Sequence, residues 1–310
     1  MQLVAYGAQD IYLSGNPQIT FFKVVYRRHT NFSMEAIEQT FNGSPDFDRK
    51  VTCTISRNGD LINRMYLQVE LPTVSGTGVA YKTWAGHKLI KSVEVEIGGQ
   101  RIDKHYGDWL HIWNELSQTE GHWNGYKHMV SGVDGFDDES PSETTDIVHD
   151  LSSATTSKRV LYIPLQFWFC RNVGLALPLI ALQYHEVKVT VSWGATARGM
   201  TPSNESLFVD YIYLDTDERR RFAQQSHEYL IEQVQHQQSS EQAVELNFNH
   251  PVKELIWTGA TADATGIRTG LGGTNYLLKL NGHDRFAERP VRYFCCNQVW
   301  QHHTGTPLTS

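Results

Sequence analysis

The sequence predicts an all-β protein built from two tandem β-sandwiches. Its 310 residues exceed the length of a typical single sandwich but suit two domains, since domains mostly contain about 100 to 200 residues. Most of the chain alternates between segments rich in β-branched or aromatic residues and turns rich in Gly and Asn, which is typical of strands. Two short segments of the first part of the chain also have similar counterparts later in the chain, in the same order. We therefore expect two copies of one fold.

Seven segments of the first two thirds of the chain are predicted to be strands. The alternation is clearest at Val93, Val95 and Ile97, because Glu94 and Glu96 between them must point to the opposite face. Each sheet of a sandwich requires one solvent-exposed face and one buried face. The seven predicted strands are 19–28, 49–56, 61–72, 91–99, 159–169, 185–193 and 206–214.

One segment has helical periodicity instead. Its apolar residues follow the i, i+3, i+4, i+7 spacing of one helix face, and Asp108 precedes them, where it can cap the helix or complement its dipole. The four apolar residues are Trp109, Ile112, Trp113 and Leu116. We expect a short amphipathic helix here.

Turns and loops separate these elements. Asn58-Gly59 and Gly98-Gly99 are dipeptides typical of β-hairpin turns. Residues 131–157 are rich in Gly, Asp, Glu, Ser and Thr and offer little to bury, so we expect a long exposed loop.

A domain boundary is predicted at residues 215–218, where the strands give way to an acidic stretch and three arginines. The first sandwich, with an N-terminal arm, is assigned residues 1–217, and the start of the second is assigned residues 218–310. We expect Arg219, Arg220 and Arg221 to be solvated or salt-bridged at a helix start beside Asp217 and Glu218. A nucleic-acid patch is the alternative interpretation.

Two short matches within the sequence support an internal duplication. Residues 27–35 align with 220–228 at an offset of 193, and residues 94–102 resemble 276–286, with Ile97 on Leu280 at an offset of 183. If the second copy keeps this register, it lacks about 90 residues relative to the first copy. Such a copy would expose sheet edges and half a core, so we expect either a fragment or a completing partner.

Composition limits the classes of function. The net charge of −7 disfavours coating of nucleic acid, which requires an excess of basic side chains. No apolar run approaches the roughly 18 residues of a membrane helix, and the N-terminus has no secretory signal pattern. The four cysteines have no disulfide or zinc spacing, which favours the cytosol. Cys53 and Cys170 are isolated, and Cys295 and Cys296 would point to opposite faces of a strand.

Fourteen histidines raise the possibility of a metal site of the cupin type, in which a His-x-His pair is followed by Glu and a further His. The sequence contains no His-x-His. His302 and His303 are adjacent and would diverge on a strand, and His283 is placed in a turn. We expect neither a metal nor a cofactor.

No pattern of a catalytic site is convincing. Gly-x-Ser-x-Gly is absent, and Cys170 in an aromatic run is better explained as a small core residue. Gly76 and Gly78 lack the context of a phosphate-binding loop. An acidic cluster lies in the long loop, where carboxylates are simply solvated; it comprises Asp137, Asp138 and Glu139. We expect a protein that is not an enzyme.

Three asparagines begin an Asn-x-Ser acceptor pattern for N-glycosylation: Asn31, Asn42 and Asn204. Without a secretory signal we expect host-type glycosylation to miss them. Ordinary turn or strand residues are the favoured interpretation for each.

Long stretches of the chain resemble the major capsid proteins of nucleocytoplasmic large DNA viruses, particularly those that infect algae and amoebae. The resemblance covers nearly the whole chain. The segments that carry it are AYGAQDIYLSGNPQITFFKVVYRR at 5–28, ISRNGDLI at 55–62, YIPLQFWFCRNVGLALPLIALQYHEVKV at 162–189, YIYLDTDERRRFA at 211–223 and LKLNGHDRFAERPVRYF at 278–294.

The resemblance implies a tandem double jelly roll, of which the second roll is incomplete here. It implies a homotrimer whose six sandwiches form a pseudo-hexagonal capsomer, and capsomers that tile the icosahedral shell of the virion. Residues 1–18 would then contact minor capsid proteins and an internal membrane on the inner side, and the loop at 131–157 would lie at the outer end or between subunits. Assembly would take place in the host cytoplasm, without direct contact to nucleic acid.

Two other functions stay open from the residues. The first is a minor jelly-roll component of a virion, such as a penton or spike-base protein, which would form pentamers. The second is a glycan-binding sandwich or a cupin-like enzyme acting on carbohydrate.

Overall fold

The computed structural model describes residues 29–43, 46, 48–71, 84–130, 159–194, 203–259 and 275–305, together with Ala8 and Asn16. Three predicted features therefore lie outside the described residues. These are the strand at 19–28, nearly all of the N-terminal arm at 1–18, and the loop at 131–157 with its acidic cluster.

The described residues of the first part of the chain contain nine strands. They are β1 (Phe32–Thr40), β2 (Lys50–Thr54), β3 (Leu61–Leu71), β4 (Ile90–Ile97), β5 (Gln100–Tyr106), β6 (Arg159–Pro164), the short β7 (Leu177–Pro178), β8 (Val187–Trp193) and β9 (Ser203–Leu214). Helices occupy the connections: α1 (Ala85–Leu89), α2 (Gly107–Ser117), α3 (Glu120–Val130), α4 (Trp168–Arg171), a 3₁₀ turn (Val173–Leu175) and α5 (Thr216–Gln224).

The strands form two antiparallel sheets. One has the order β1-β9-β3-β6, with β7 paired to β3, and the other has the order β2-β8-β4-β5. Successive long strands alternate between the sheets except for the β4–β5 hairpin. This is the strand order of an eight-stranded jelly roll.

The main hydrophobic core of the described residues lies between the two sheets, and a small second cluster contains Leu61, Ala176 and Ile212. Alternate residues of each strand point inward, as the period of two requires. On β8 these are Val187, Val189 and Val191, and they face a matching row on β9, which includes Leu207 and Val209. The predicted alternation of β4 is confirmed, since Val93 and Val95 are completely buried whereas Glu94 and Glu96 are not.

The predicted strand at 159–169 is too long. It ends at Pro164, and the last ladder bond is from the backbone N–H of Leu165 to the carbonyl of Met65 at 2.9 Å. The aromatic residues after it form α4 instead, and Phe167 and Phe169 are completely buried against the core. An apolar run shows burial, but its composition alone does not distinguish a buried strand from a buried helical turn.

The predicted amphipathic helix is confirmed as α2, but its buried face is displaced by one residue. Leu110 and Asn114 are the buried side chains, whereas Trp109 and Trp113 are only partly covered. Asp108 lies in the first turn and does not cap the helix, whose N-cap is Tyr106. It can still complement the helix dipole.

One of the two predicted hairpin turns is wrong. Asn58-Gly59 joins β2 and β3, which belong to different sheets. Glycine is needed there because a Cβ atom on Gly59 would lie 2.8 Å from Cβ of Tyr211. The Gly98-Gly99 hairpin is confirmed, with positive φ angles of 60° and 82° that are typical of a type I′ turn.

The rest of the chain has little regular structure among its described residues. It contains β10 (Asn275–Tyr276), β11 (Lys279–Leu280), β12 (His283–Asp284), β13 (Arg289–Pro290), a π-helical turn (Tyr293–Gln298) and α6 (Val299–His302). β11 pairs with β12 across Asn281 and Gly282, whose φ angles are 51° and 79°. The hairpin β4–β5 and the hairpin β11–β12 thus share one turn type at the offset of 183 found in the sequence.

Candidate functional site: the surfaces of the first jelly roll

The histidines considered as metal ligands lie apart from one another. His302 ends α6 and His303 follows it, so the two lie at a helix end and not on a strand. His303 contacts Glu254, and His283 begins β12 directly after the turn. Within the described ranges, no three His, Cys, Asp or Glu side chains are grouped in a way that could hold a metal ion.

Cys53 and Cys170 are not activated nucleophiles. Burial raises the pKa of Cys53 to about 11 and that of Cys170 to about 12, so both stay protonated at neutral pH. Cys170 packs against the core, as predicted. Cys295 and Cys296 lie in the π-helical turn, so the expectation that they would occupy a strand is wrong.

The predicted helix is present as α5, in which the three arginines follow Asp217 and Glu218 of the first turn, but one arginine has a distant partner. Arg219 binds Asp60 through two nitrogens, each 3.0 Å from a carboxylate oxygen. The same carboxylate accepts a hydrogen bond from the backbone N–H of Leu214 at 2.8 Å. Arg221 pairs with Glu218 at 3.3 Å, and Arg220 is exposed. Asp60 thereby fixes the chain where β9 ends.

The three candidate glycosylation asparagines differ in their surroundings. Asn31 is exposed directly before β1, and Asn42 is exposed in an isolated bridge to Thr52. Asn204 lies within β9, and its side-chain amide donates a hydrogen bond to Glu70 at 3.0 Å. The hydroxyl of Ser206, the third residue of that pattern, donates to Glu38.

The outer faces of the two sheets have different chemistry. On the β1-β9-β3-β6 sheet, Tyr66 stacks on Phe208 with ring centroids 5.1 Å apart and meets Tyr162 edge-on at 6.1 Å. On the other sheet, Thr52 and Thr190 share a hydrogen bond of 3.1 Å, and Lys104 binds Glu94 at 2.9 Å. One face is partly aromatic and the other is polar, so the two can contact different neighbours.

A buried carboxyl group lies where β9 is irregular. The register of the β3–β9 pairing shifts between Gln68 and Glu70, and Asn204 adopts a left-handed φ of 50°. Both carboxyl oxygens of the next residue, Glu205, are buried and make no well-formed hydrogen bond. Burial raises the pKa of Glu205 to about 8, against a smaller lowering by the Trp193 indole.

A second buried group is neutral and aromatic. His87 donates to or accepts from the hydroxyl of Tyr126 at 2.7 Å and stacks on Trp84, with ring centroids 5.7 Å apart. Burial lowers the pKa of His87 to about 3 and that of His111 to about 4. These histidines are uncharged at neutral pH and serve as packing residues.

Residues 232–234 attach the later part of the chain to the exposed edge of the first jelly roll. The backbone N–H of Val234 donates to Asp103 on the edge strand β5 at 3.0 Å. Arg171 binds Glu232 at 2.9 Å and lies over the ring of Trp113 at 4.6 Å. Sequence reasoning missed this attachment. The available signal was the polar residue Asp103 at an inward position of a strand.

A further attachment lies at the end of α2. The backbone N–H of Gly305 donates to Leu116 at 2.8 Å, and the hydroxyl of Thr304 donates to Ser117 at 2.7 Å. A Cβ atom on Gly305 would lie 2.1 Å from the carbonyl oxygen of Glu115. Only glycine permits so close an approach of two backbones.

Comparison with known protein families assigns the chain by sequence. The model described as "Major capsid protein N-terminus" matches residues 20–215, and "Large eukaryotic DNA virus major capsid protein" matches residues 218–270. The major capsid protein of Pyramimonas orientalis virus is 62% identical, over all of this chain and 77% of that protein. The counterpart from Phaeocystis pouchetii virus is 52% identical, over 92% of this chain and 63% of that protein.

Solved structures agree with the assignment. The crystal structure of VP54 from the virus PBCV-1 superposes with a TM-score of 0.72 and 35% sequence identity, covering 93% of this chain and 78% of that one. The Faustovirus major capsid protein superposes with a TM-score of 0.50 at 13% identity, which supports the fold alone.

The protein therefore has the double jelly-roll fold and is a structural component of a virus shell, not an enzyme. The chain belongs to the major capsid proteins of the large eukaryotic DNA viruses. The predictions of fold class, family and structural role are confirmed. None of the helices among the described residues is long and apolar enough to cross a membrane.

Proposed function

We propose that three copies of this protein form a pseudo-hexagonal capsomer and that such capsomers tile an icosahedral shell. The proposal rests on the attachment of residues 232–234 and 304–305 to the first jelly roll. The turn of the β4–β5 hairpin also recurs in the β11–β12 hairpin, as expected of a second copy of the fold. Two rolls held side by side in one chain supply six per trimer. The similarity to a chain of the PBCV-1 virus capsid supports a role in a shell of this kind.

The unlike outer faces of the first roll suit this function. A closed ring of identical subunits needs two different, complementary surfaces on each copy. The aromatic face around Tyr66 and the polar face around Thr52 provide surfaces of this kind. Each contact is repeated by symmetry, so individually modest contacts are sufficient for a stable shell.

The domain assignment belongs to the same proposal, with the first roll at 1–217 and the second beginning at 218. We further propose that minor capsid proteins and an internal membrane lie on the inner side, and that assembly takes place in the host cytoplasm. The net charge of −7 supports a shell that does not bind the genome directly.

The oligomeric state tests the proposal. Native mass spectrometry of the purified chain, with class averages from electron microscopy, should give a three-fold species with six-lobed density. A stable five-fold species would instead identify a penton or spike-base protein. A stoichiometric metal, or specific retention on a glycan array, would favour the carbohydrate-acting alternative.

A further inference from the structure

The attachment along the edge strand β5 has a counterpart elsewhere in the duplicated sequence. Residues 232–236 form that attachment, and at the offset of 193 they correspond to residues 39–43, at the end of β1. At the offset of 183, β5 itself corresponds to residues 283–289. All of these residues are described by the structure, so the two pairs of segments can be compared.

The attachment that is present runs parallel to β5. Its three contacts follow one another in the same order along both segments. They join the side-chain amide of Gln233 to the carbonyl of Ile102, the backbone N–H of Val234 to Asp103 at 3.0 Å, and the ring of His236 to that of Tyr106 with centroids 4.9 Å apart. An ion pair lies at its start, where Arg171 binds Glu232 at 2.9 Å. The segment covers β5, which is buried or half-buried from its third residue onward.

Residues 283–289 form the outer strand of a hairpin like that of β4 and β5. They pair with residues 275–280 through β12 and β13, and the backbone N–H of Arg285 donates to Leu278 at 2.9 Å. In contrast to β5, six of these seven residues are exposed, and Phe286 is half-buried. The later part of the chain thus has the edge without the segment that covers it.

β1 presents the other half of the contact. It is the terminal strand of its sheet and pairs with β9 alone among the described strands. At its end, Thr40, Asn42 and Gly43 are exposed. The first part of the chain thus has a segment equivalent to 232–236 that remains exposed.

The charges of the two exposed surfaces are complementary. Residues 32–43 contain two glutamates and no basic side chain, whereas residues 283–292 contain three arginines and two acidic residues. Arg285 is exposed and has no ion pair within the described part of the chain. The attachment along β5 has the same arrangement, with Glu232 on the segment and Arg171 on the roll that receives it.

The register of the existing attachment predicts which charges would meet. Gln233 contacts Ile102, so its counterpart Thr40 is placed beside Arg285. Glu38 precedes Thr40 by two residues and therefore lies on the same side of the strand. An arginine beside Thr40 is long enough to reach the carboxylate of Glu38, and arginine–carboxylate pairs are among the stronger polar contacts between proteins.

We propose that residues 39–43 of one copy of this chain dock along residues 283–289 of a neighbouring copy, with Glu38 and Arg285 as the ion pair of the contact. The proposal rests on the capsomer function proposed above and names the surfaces that close its ring. Each copy offers one segment and one edge, so the contact is head-to-tail, and three such contacts close a ring of six rolls.

A short bis-maleimide linker tests the contact in the full chain. The variant with Thr40→Cys and Arg285→Cys should give a covalent trimer, because each copy then links to the next and the ring closes. A mixture of the two single variants should give covalent dimers and nothing larger, since each copy carries one new thiol. Gln233→Cys with Ile102→Cys is the matched control, and its link should stay within one chain.

Mass spectrometry of the linked peptides identifies the contact. A link between positions 40 and 285 of different copies is expected. A link between position 40 of one copy and position 40 of another would make β1 a two-fold interface and would overturn the proposal. A linked control pair without any link between positions 40 and 285 overturns it as well.

Charge reversal provides an independent test. Glu38→Arg should raise the concentration at which the trimer half-dissociates by roughly tenfold or more, because like charges then face each other in every contact. Adding Arg285→Glu should restore most of the loss. Glu35→Arg reverses a charge on the opposite side of the same strand and should have little effect. Sedimentation equilibrium measures all four proteins, and a double variant no tighter than Glu38→Arg would overturn the pairing.

The unmodified chain separates this contact from the function on which it rests. If native mass spectrometry finds no three-fold species, the capsomer proposal is wrong and the contact falls with it. If the chain is three-fold but positions 40 and 285 do not link, only the contact proposed here is wrong.

Discussion

At the scale of single residues, the first jelly roll contains polar groups whose positions only the fold explains. Glu205 is the clearest case, since its carboxyl is buried between the sheets where β9 departs from regular pairing. Its sequence neighbours, Asn204 and Ser206, are ordinary polar residues of a strand end. Nothing in that local pattern distinguishes a buried carboxyl from a solvated one.

Glu205 should make the stability of the protein depend on pH. Because its folded-state pKa of about 8 lies above the ordinary value of 4.5, the folded state holds the proton more tightly, and stability falls as pH rises from 4.5 to 8. Glu205→Gln should remove this contribution to the pH dependence of the free energy of unfolding. It should raise that free energy by about 2 kcal/mol at pH 8, a value reduced for partial solvent access. Urea denaturation at pH 5 and pH 8 measures the effect. Parallel pH profiles for the two proteins would contradict the prediction.

Asn204 should carry no glycan in the virion. Its side-chain amide and the Ser206 hydroxyl are both engaged in hydrogen bonds to glutamates within a paired strand, so the acceptor pattern is not free to enter a transferase site. Peptide mass spectrometry of virion protein checks this. Asn31, exposed before β1, is the matched comparison, and a hexose-containing mass at Asn204 would refute the prediction.

At the scale of elements, features set by the local sequence pattern could be predicted, whereas features set by tertiary contacts could not. The alternation of β4, the helical spacing of α2 and the Gly98-Gly99 turn were predictable because each depends on neighbours in sequence. The end of the strand at Pro164 and the crossing at Gly59 were not, because they depend on which sheet the next segment joins. The covering of Trp113 by Arg171 likewise depends on residues far apart in the chain.

Gly59→Ala should destabilise the protein by about 1–3 kcal/mol, because its new methyl group would overlap the Cβ atom of Tyr211, 2.8 Å away. The matched control is Gly125→Ala in α3, where a Cβ atom would meet nothing within 4 Å. That substitution should be neutral or stabilising by up to about 1 kcal/mol. Thermal unfolding of both variants checks the pair, and equal melting temperatures would contradict the expectation.

Arg171→Ala should loosen the attachment at β5. The variant loses the ion pair with Glu232 and the contact with Trp113, so amide hydrogens of residues 231–235 should exchange several-fold faster while those of β8 stay protected. Hydrogen exchange with mass spectrometry makes the measurement. Lys279→Ala removes an exposed pair with Asp284 and should change neither region.

At the scale of the whole molecule, the first jelly roll is a two-sheet unit with its own core, and the later described residues are attached to its edge. Residues 226–259 contain no helix or strand, and several of their hydrogen bonds come from glutamine side chains. Gln235 and Gln237 bond to backbone groups of residues 245–249, taking the place of a strand ladder. The duplication was visible in sequence only at short motifs, because long-range support leaves no local signature.

Limited proteolysis should reflect this difference. Among the described residues, glutamate-specific protease should cut first at Glu241 or Glu245, which are exposed in extended chain, and spare Glu94 and Glu96 in the paired strand β4. The reason is that cleavage requires a segment to leave its hydrogen bonds. N-terminal sequencing of the first fragments tests this, and early cleavage within β4 would contradict it.

The antiparallel pairing of β1 with β9 has a consequence for how such a shell can evolve. Since the chain enters and leaves the first roll at one end, a duplicated copy can follow through a short connection and stand upright beside it, pointing the same way. Duplication then preserves polarity, because the chain-bearing end of every roll lies on the same side. Selection can alter the loops for the environment without disturbing the end that the neighbouring modules share.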